Sequence, residues 1–198
     1  PHNRFKKLRV ILLKELEEQI LDDGAHFELS PMYHQLMLYR TLDCYNLAKN
    51  NIYFVNELTG FIEAQAAKMI CWLNNITFRS GTIPLFNDSA LGIAPSTKEL
   101  FDYAFRLHIH KSNIHKSRLD ESGYRRFSGK NYELIADAGK IGPDYIPGHA
   151  HSDIFNFELY VQDIPVIVDT GTSTYERNLR RLEERGTKAH NTVMLGGF

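Results

Sequence analysis

In PGHAHSDIFNFELYV, residues 147–161, two histidines and an aspartate stand at every second position: His149, His151 and Asp153. Alternate residues of an extended segment share a face, so the row faces one thing, and a metal ion, a substrate and a packed core are the three candidates. Further along, Asp169 closes the apolar run PVIVD and His190 opens HNTVMLGG. Imidazole nitrogens with a carboxylate oxygen make an ordinary zinc shell, and adjacent antiparallel strands can bring His149, His151 and His190 to one ion, with Asp169 as the fourth member. The competing reading is that each histidine is a hydrogen-bonded polar group at a sheet edge.

A second cluster lies in DDGAHFELSPMYHQ, where His26, Glu28, Tyr33 and His34 surround a helix start. Asp22, Asp23 and Gly24 form a helix stop, and Ser30 followed by Pro31 reads as an N-cap with proline at the first helical position. Tyr33 then sits in the first turn, where the positive end of the helix dipole favours a phenolate. Neighbours in a helix cannot face the same way, so Tyr33 and His34 diverge. An aromatic staple that packs the loop is the alternative. Basic candidates are RLHIHKSNIHKSR, residues 106–118, and YERNLRRLEERGTK, residues 175–188, which carries Arg177, Arg180, Arg181 and Arg185 between Asp169 and His190. Arginine there would clamp a carboxylate or sulfate bidentately, with Glu183 and Glu184 offsetting part of the charge.

The elements that must position these residues change in kind along the chain. Leu8, Leu12, Leu16 and Ile20 recur every fourth residue and predict an amphipathic helix over 5–21. Apolar runs from Pro31 to Leu47 and from Leu58 to Leu73 predict two more, which suggests a helical hairpin array. FRSGTIPLFNDSALGIAPS, residues 78–96, is a long loop of the kind that carries function. A short helix capped by Thr97, with Glu99 as acidic partner, should run to about His110. Two hairpins follow: Tyr124–Phe127 and Tyr132–Ala136 around SGKN, then Phe155, Phe157, Leu159 and Val161 alternating before a turn at 162–165. HNTVMLGG predicts a further strand. This order of helices then strands indicates α+β, with a helical portion over 1–114, a strand domain over 115–198, and the boundary near 111–118.

With 198 residues, 43% hydrophobic and 24% charged, the chain has ordinary globular composition. A net charge of −1 supplies no global field for nucleic acid or an anionic membrane, and no apolar run approaches the ~20 residues of a membrane helix. PHNRFKKLRV lacks the apolar run of a secretory signal, and the chain reads as cut at both ends. Cys44 and Cys71, in apolar helical runs without C-x-x-C spacing, read as buried thiols.

Taken together and in order, DGAHFELSPMYH, GTIPLFNDSALGIAP, GPDYIPGHAHSDIFNFEL, VDTGTSTY and RGTKAHNTV resemble the heparinase II/III family of polysaccharide lyases. The resemblance implies the end of an (α/α) toroid followed by the first part of an antiparallel β-sandwich, both incomplete. It implies β-elimination of an acidic polysaccharide next to a uronic acid, with Tyr33 as general acid and also base, and His149 beside it across the cleft between domains. His151, Asp169 and His190 would hold a structural zinc that positions His149. His26, Glu28, His34, Asn87, Asp88 and Arg185 would line the substrate cleft. The family's uronate-binding asparagine and histidine would precede residue 1, and the location implied is periplasmic or secreted.

This division sends His149 to substrate and His151 to metal, which requires a bend near Ala150; Asp153 is assigned a strand-fixing hydrogen bond. Two other functions remain in view. One is a non-catalytic protein that binds glycan or assembles exopolysaccharide. The other is a zinc hydrolase using H-x-H-x-D, as in the metallo-β-lactamase type. There, however, a histidine directly follows the aspartate, whereas Ile154 stands here, and alternating β and α units are missing.

Overall fold

The computed structural model describes residues 2–51, 57–109, 119–145 and 147–196, with backbone only at 2, 3 and 57. The expected boundary at 111–118 lies outside these residues. Helices α1 (His2–Gln19), α2 (Pro31–Lys49), α3 (Glu57–Ile76) and α4 (Thr97–Arg106) precede four strands: β1 (Tyr124–Ser128), β2 (Tyr132–Asp137), β3 (Phe157–Val161) and β4 (Ile164–Ile167). A two-turn helix, α5 (Leu179–Arg185), and a 3-10 turn at Thr187–Ala189 follow.

Ser30 caps α2 with Pro31 inside its first turn, as the sequence indicates. The cap of α4 is Ser96, not Thr97: Ser96 is extended and forms a reciprocal capping box with Glu99. That helix ends at Arg106, short of His110. Gly24, at φ +93, ends the α1 turn so close to α3 that a Cβ would lie 2.2 Å from the Lys68 carbonyl. On α1 the inward face is Phe5, Leu12, Leu13 and Leu16, with Ile20 buried just past its end, while Leu8 is exposed. Helices α2 and α3 bury Leu38, Leu42, Ile62, Ala66, Met69, Trp72 and Leu73. Cys71 is buried, but Cys44 is exposed, and both are thiols rather than disulfide halves. Position 44 falls off the stripe of Leu38, Thr41, Leu42, Tyr45 and Ala48 that α2 buries.

The strands form one antiparallel sheet in the order β1-β2-β3-β4. Residues 129–131 close the first hairpin, with Ser128 opposite Glu133. Gln162 and Asp163 close the second, both at positive φ, the conformation that matches strand twist in a two-residue turn. The expected alternation in β3 is inverted: Glu158 and Tyr160 are buried, while Phe157 and Leu159 are only half-buried and Val161 is exposed.

The reason is that the face packed on the helices mixes Tyr124, Ile135 and Tyr160 with three acids. Glu133 accepts from the Arg79 backbone N–H and pairs with Arg126. Glu158 accepts from the N–H groups of Leu85 and Asp169. Asp137 accepts from the Gly139 N–H and from Asn87. These carboxylates satisfy four backbone donors, two of them in the 78–89 loop, that apolar side chains could not. Arg126 in turn donates to the carbonyls of Asn75 and Thr77 at the end of α3. Trp72 Nε1 donates to Ser122 Oγ and Tyr124 Oη to the Leu29 carbonyl, so one continuous core spans helices and sheet.

HNTVMLGG forms no strand among the described residues. Instead the Asn191 amide donates to the carbonyls of Phe157 and Val168, and its backbone N–H donates to Asn156. Side-chain tethering replaces a ladder, and Val193 and Leu195 stay exposed. Among the described residues no helix is long and apolar enough to cross a membrane.

Candidate active site

The start of α2 is docked by hydroxyls. Ser30 Oγ donates to the Asp88 carbonyl, and the Met32 N–H donates to Ser89 Oγ. This sets the 87–89 turn beneath Tyr33. The Asp88 N–H reaches the His149 carbonyl and the Thr172 N–H reaches the Ser89 carbonyl, so the turn holds two sheet-side loops by their backbones. Gly171, at φ +62, permits that approach, because a Cβ there would lie 2.4 Å from the Ser89 carbonyl oxygen.

Residues 147–156 are turns and bends rather than the extended segment the alternation suggested; β3 begins only at Phe157. His149 and His151 therefore diverge. His149 is part-exposed and lies ring on ring with Tyr33, centroids 3.8 Å apart and planes 28° apart. His151 is buried next to His190. Between them stands Asp88, whose Oδ2 is 3.0 Å from His149 Nδ1 and whose Oδ1 is 2.7 Å from His151 Nε2. Arg181 donates to both oxygens, Nη2 at 2.7 Å from Oδ2. Burial alone would raise the Asp88 carboxyl, but hydrogen bonds from His149, His151 and Arg181 overcome it and hold the group well below the usual carboxylate range.

Tyr33 Oη donates to Tyr175 Oη at 3.2 Å, and the Arg181 guanidinium lies over the Tyr175 ring. Burial, then the Tyr33 hydrogen bond and the Asp88 charge, push the Tyr175 phenol above its ordinary value. Glu28 Oε2 is 3.4 Å from His149 Nε2, and burial raises its carboxyl. Tyr33, His149, Glu28 and Tyr175 thus form one contiguous, part-exposed cluster where the helices meet the sheet-side loops.

Other residues expected to line the cleft support it from behind. His34 is fully buried: Nδ1 accepts from the His26 N–H and Nε2 donates to the Met69 carbonyl, and burial drives its pKa down to about 3. His26 is buried too, lowered to about 4 by burial and by His149. Asn87 donates to the Leu29 carbonyl and accepts from the His151 N–H. Arg185 donates Nε and Nη2 to the Ala150 carbonyl, so its guanidinium is engaged with the loop backbone. Arg181 and Tyr175 carry no distinguishing spacing; the sequence marks Arg181 only as one charge in a basic run.

For a metal, the relevant observation is a set of orphaned atoms. His151 Nδ1, His190 Nε2 and Asp153 Oδ2 are buried without a hydrogen-bond partner. Asp169 is occupied: Oδ2 accepts from His190 Nδ1 at 2.7 Å and from Asn156, and Oδ1 accepts from the Gly171 N–H. Among the described residues no three such side chains stand as a metal-holding group. Two free, buried imidazole nitrogens beside a carboxylate that orients one of them nevertheless fit the donor chemistry of zinc.

The fold and site define an α+β protein in which helices present a tyrosine to a histidine on a sheet-side loop. Family models agree on both halves: Heparinase II/III N-terminus matches residues 6–115, and Heparinase II/III-like, C-terminal matches residues 111–198. The chain belongs to the heparinase II/III family. It is 26% identical to a heparin-sulfate lyase of Pedobacter heparinus and 24% identical to one of Bacteroides stercoris, in each case over 93% of this chain. It spans 31% and 30% of those proteins, about a third of their length. Among solved structures, a heparinase III gene product superposes with TM-score 0.72 at 25% identity, covering 93% of this chain and 32% of that one. The heparan sulfate lyase of Pedobacter heparinus gives 0.71 at 23%, covering 89% and 30%.

Proposed function

We infer that the protein is a polysaccharide lyase that cleaves a uronic-acid-containing acidic polysaccharide by β-elimination, with Tyr33 and His149 as its acid/base pair. The observation that carries this is the stacking of Tyr33 on His149, both part-exposed, where the helices meet the sheet-side loops. Elimination breaks the C5–H bond, places its electron pair in a C4=C5 double bond, and expels the C4 oxygen, which needs a proton. A phenol has a proton to give and a neutral imidazole a lone pair to take one, so the pair offers one donor and one acceptor. With Nδ1 of His149 turned to Asp88, Nε2 is the nitrogen left to accept a proton. The Tyr33 hydroxyl, in contact with Tyr175, is the donor to the leaving oxygen and can act as base where the C5 proton is on its own side.

His151 and His190, with Asp169 beside them, would hold zinc, which when bound supplies structural order to the loops that carry His149. A periplasmic or secreted location belongs to the same reading, since polymeric substrates of this class are met outside the cytoplasm. The test is incubation of the full-length protein with heparan sulfate, hyaluronan, chondroitin sulfate and alginate, followed by ultraviolet absorbance of the unsaturated product. A rise on at least one polymer supports the reading. Polymer binding without any rise points instead to a non-catalytic glycan-binding protein.

A further inference from the structure

Asp88 is buried, and its carboxylate is shared by three side chains from the sheet side of the molecule: His149, His151 and Arg181. An ionised carboxylate only accepts hydrogen bonds. Each ring nitrogen in contact with it must therefore carry a proton, and the opposite nitrogen of a neutral imidazole must not.

We propose that Asp88, clamped by Arg181, is the positioning residue for both imidazoles of His149-Ala150-His151. It fixes His149 with its proton on Nδ1 and Nε2 turned to Glu28, whose Oε2 lies 3.4 Å away, and His151 with its proton on Nε2 and Nδ1 unpartnered next to the His190 ring. The consequence for turnover rests on the lyase reading above; the assignment of tautomers does not.

Charge accounting supports the assignment. The Arg181 guanidinium compensates the Asp88 carboxylate directly, and burial raises the Glu28 carboxyl that faces Nε2, so neither contact requires a charged ring and His149 can be neutral, as a proton acceptor must be. A buried aspartate that holds a catalytic histidine in one tautomer is a known device of acyl-transfer enzymes. Here the same carboxylate serves a second ring whose free nitrogen is buried and orphaned.

Arg181 reaches Asp88 from α5, between Asp169 and His190. Asn178 caps that helix, and Thr172 Oγ1 accepts from Arg181 Nη1. Glu184 on the same helix accepts from the Ser173 N–H, close to the turn that Gly171 opens. The aim of His149 thus depends, through Asp88, on a residue carried by α5.

The experiment uses full-length protein labelled with 15N in its histidine rings and long-range 1H–15N correlation spectra, with His149 and His151 assigned by signal loss in His149→Gln and His151→Gln. Opposite tautomers, Nδ1–H for His149 and Nε2–H for His151, are expected. A wild-type His149 protonated on Nε2 overturns the proposal without any variant at position 88. In Asp88→Asn the His149 ring should lose its single tautomer, and kcat should fall roughly 10²- to 10⁴-fold with KM changed less than about threefold. A folded Asp88→Asn with unaltered ring spectra, or a loss confined to KM, also overturns it. If Asp88→Asn does not fold because Arg181 is left buried without a partner, Asp88→Asn/Arg181→Gln removes both charges and is read in the same way. Absence of elimination by the wild type sinks the lyase reading, and the ring spectra still decide the positioning.

Discussion

Tyr33 and His149 come from opposite halves of the chain and stack with ring centroids 3.8 Å apart. Each is anchored by a different partner, Tyr33 by the Tyr175 hydroxyl and His149 by the Asp88 carboxylate. Neither anchor belongs to the helical core, so the pair can be altered without opening it.

For that reason Tyr33→Phe and His149→Ala should each lower kcat on the responsive polymer by roughly 10²- to 10⁴-fold, the usual worth of acid/base catalysis. Melting temperature should stay within a few degrees of wild type. Activity within about threefold of wild type in both variants would remove the pair from the mechanism.

Chelation tests the orphaned nitrogens of His151 and His190. Dialysis of full-length protein against a chelator should lower its melting temperature, and zinc should restore it. His151→Ala should be insensitive to both treatments. A wild type whose melting temperature is indifferent to chelator and to zinc argues against a structural metal.

His34 gives a pH-dependent contribution of known sign. Burial depresses its folded pKa to about 3, below the ~6.5 of an unfolded histidine. Its stabilising effect is therefore complete above pH ~6.5 and is lost as pH falls toward 3. His34→Gln should be less stable than wild type at pH 8, by about 1–3 kcal/mol for two disturbed buried hydrogen bonds. The gap should narrow on acidification, as followed by denaturant titration at each pH. A gap that widens in acid contradicts the burial of a neutral ring.

Asp137 acts in the opposite direction. Burial first, with Asp153 adding to it against the hydrogen bond from Gly139, raises its folded pKa to about 7, above the ~3.9 of an unfolded aspartate. Below pH ~3.9 its contribution is fully present; it declines as pH climbs through 7. The slope is about 1.4 kcal/mol per pH unit at most. Asp137→Asn should accordingly compare more favourably with wild type at pH 8 than at pH 4. In the wild type this trend and that of His34 offset each other between pH 4 and 6.5, so only variant-minus-wild-type differences reveal either one.

Much of the architecture was legible before any coordinates. Apolar spacing located α1 to α3, Ser30-Pro31 marked the start of α2, and the turns expected at SGKN and at 162–165 located both hairpins, the second of which closes at 162–163. These features are local: helical period, capping and turn conformation depend on residues a few positions apart. Where a nearby competitor could serve, local reading slipped, as with Ser96 taking the cap from Thr97.

What the sequence by itself determined is therefore the order and type of α1 to α4 and of the two hairpins and, through the ordered motifs, the family, while α5 and the irregular HNTVMLGG segment were not read from it. Tertiary structure alone decided which way the side chains face. Glu158 and Tyr160 turn inward while Phe157 and Leu159 do not, because the 78–89 loop offers backbone donors that need a carboxylate. His149 and His151 diverge because their segment is not a strand and Asp88, far away in the chain, accepts from both. Arg181 becomes the counter-charge of that carboxylate, and His34 and Asn87 become supports rather than cleft lining. Each of these outcomes is a pairing between distant residues chosen by burial and hydrogen-bond satisfaction, and such pairings leave no periodic trace in a single chain.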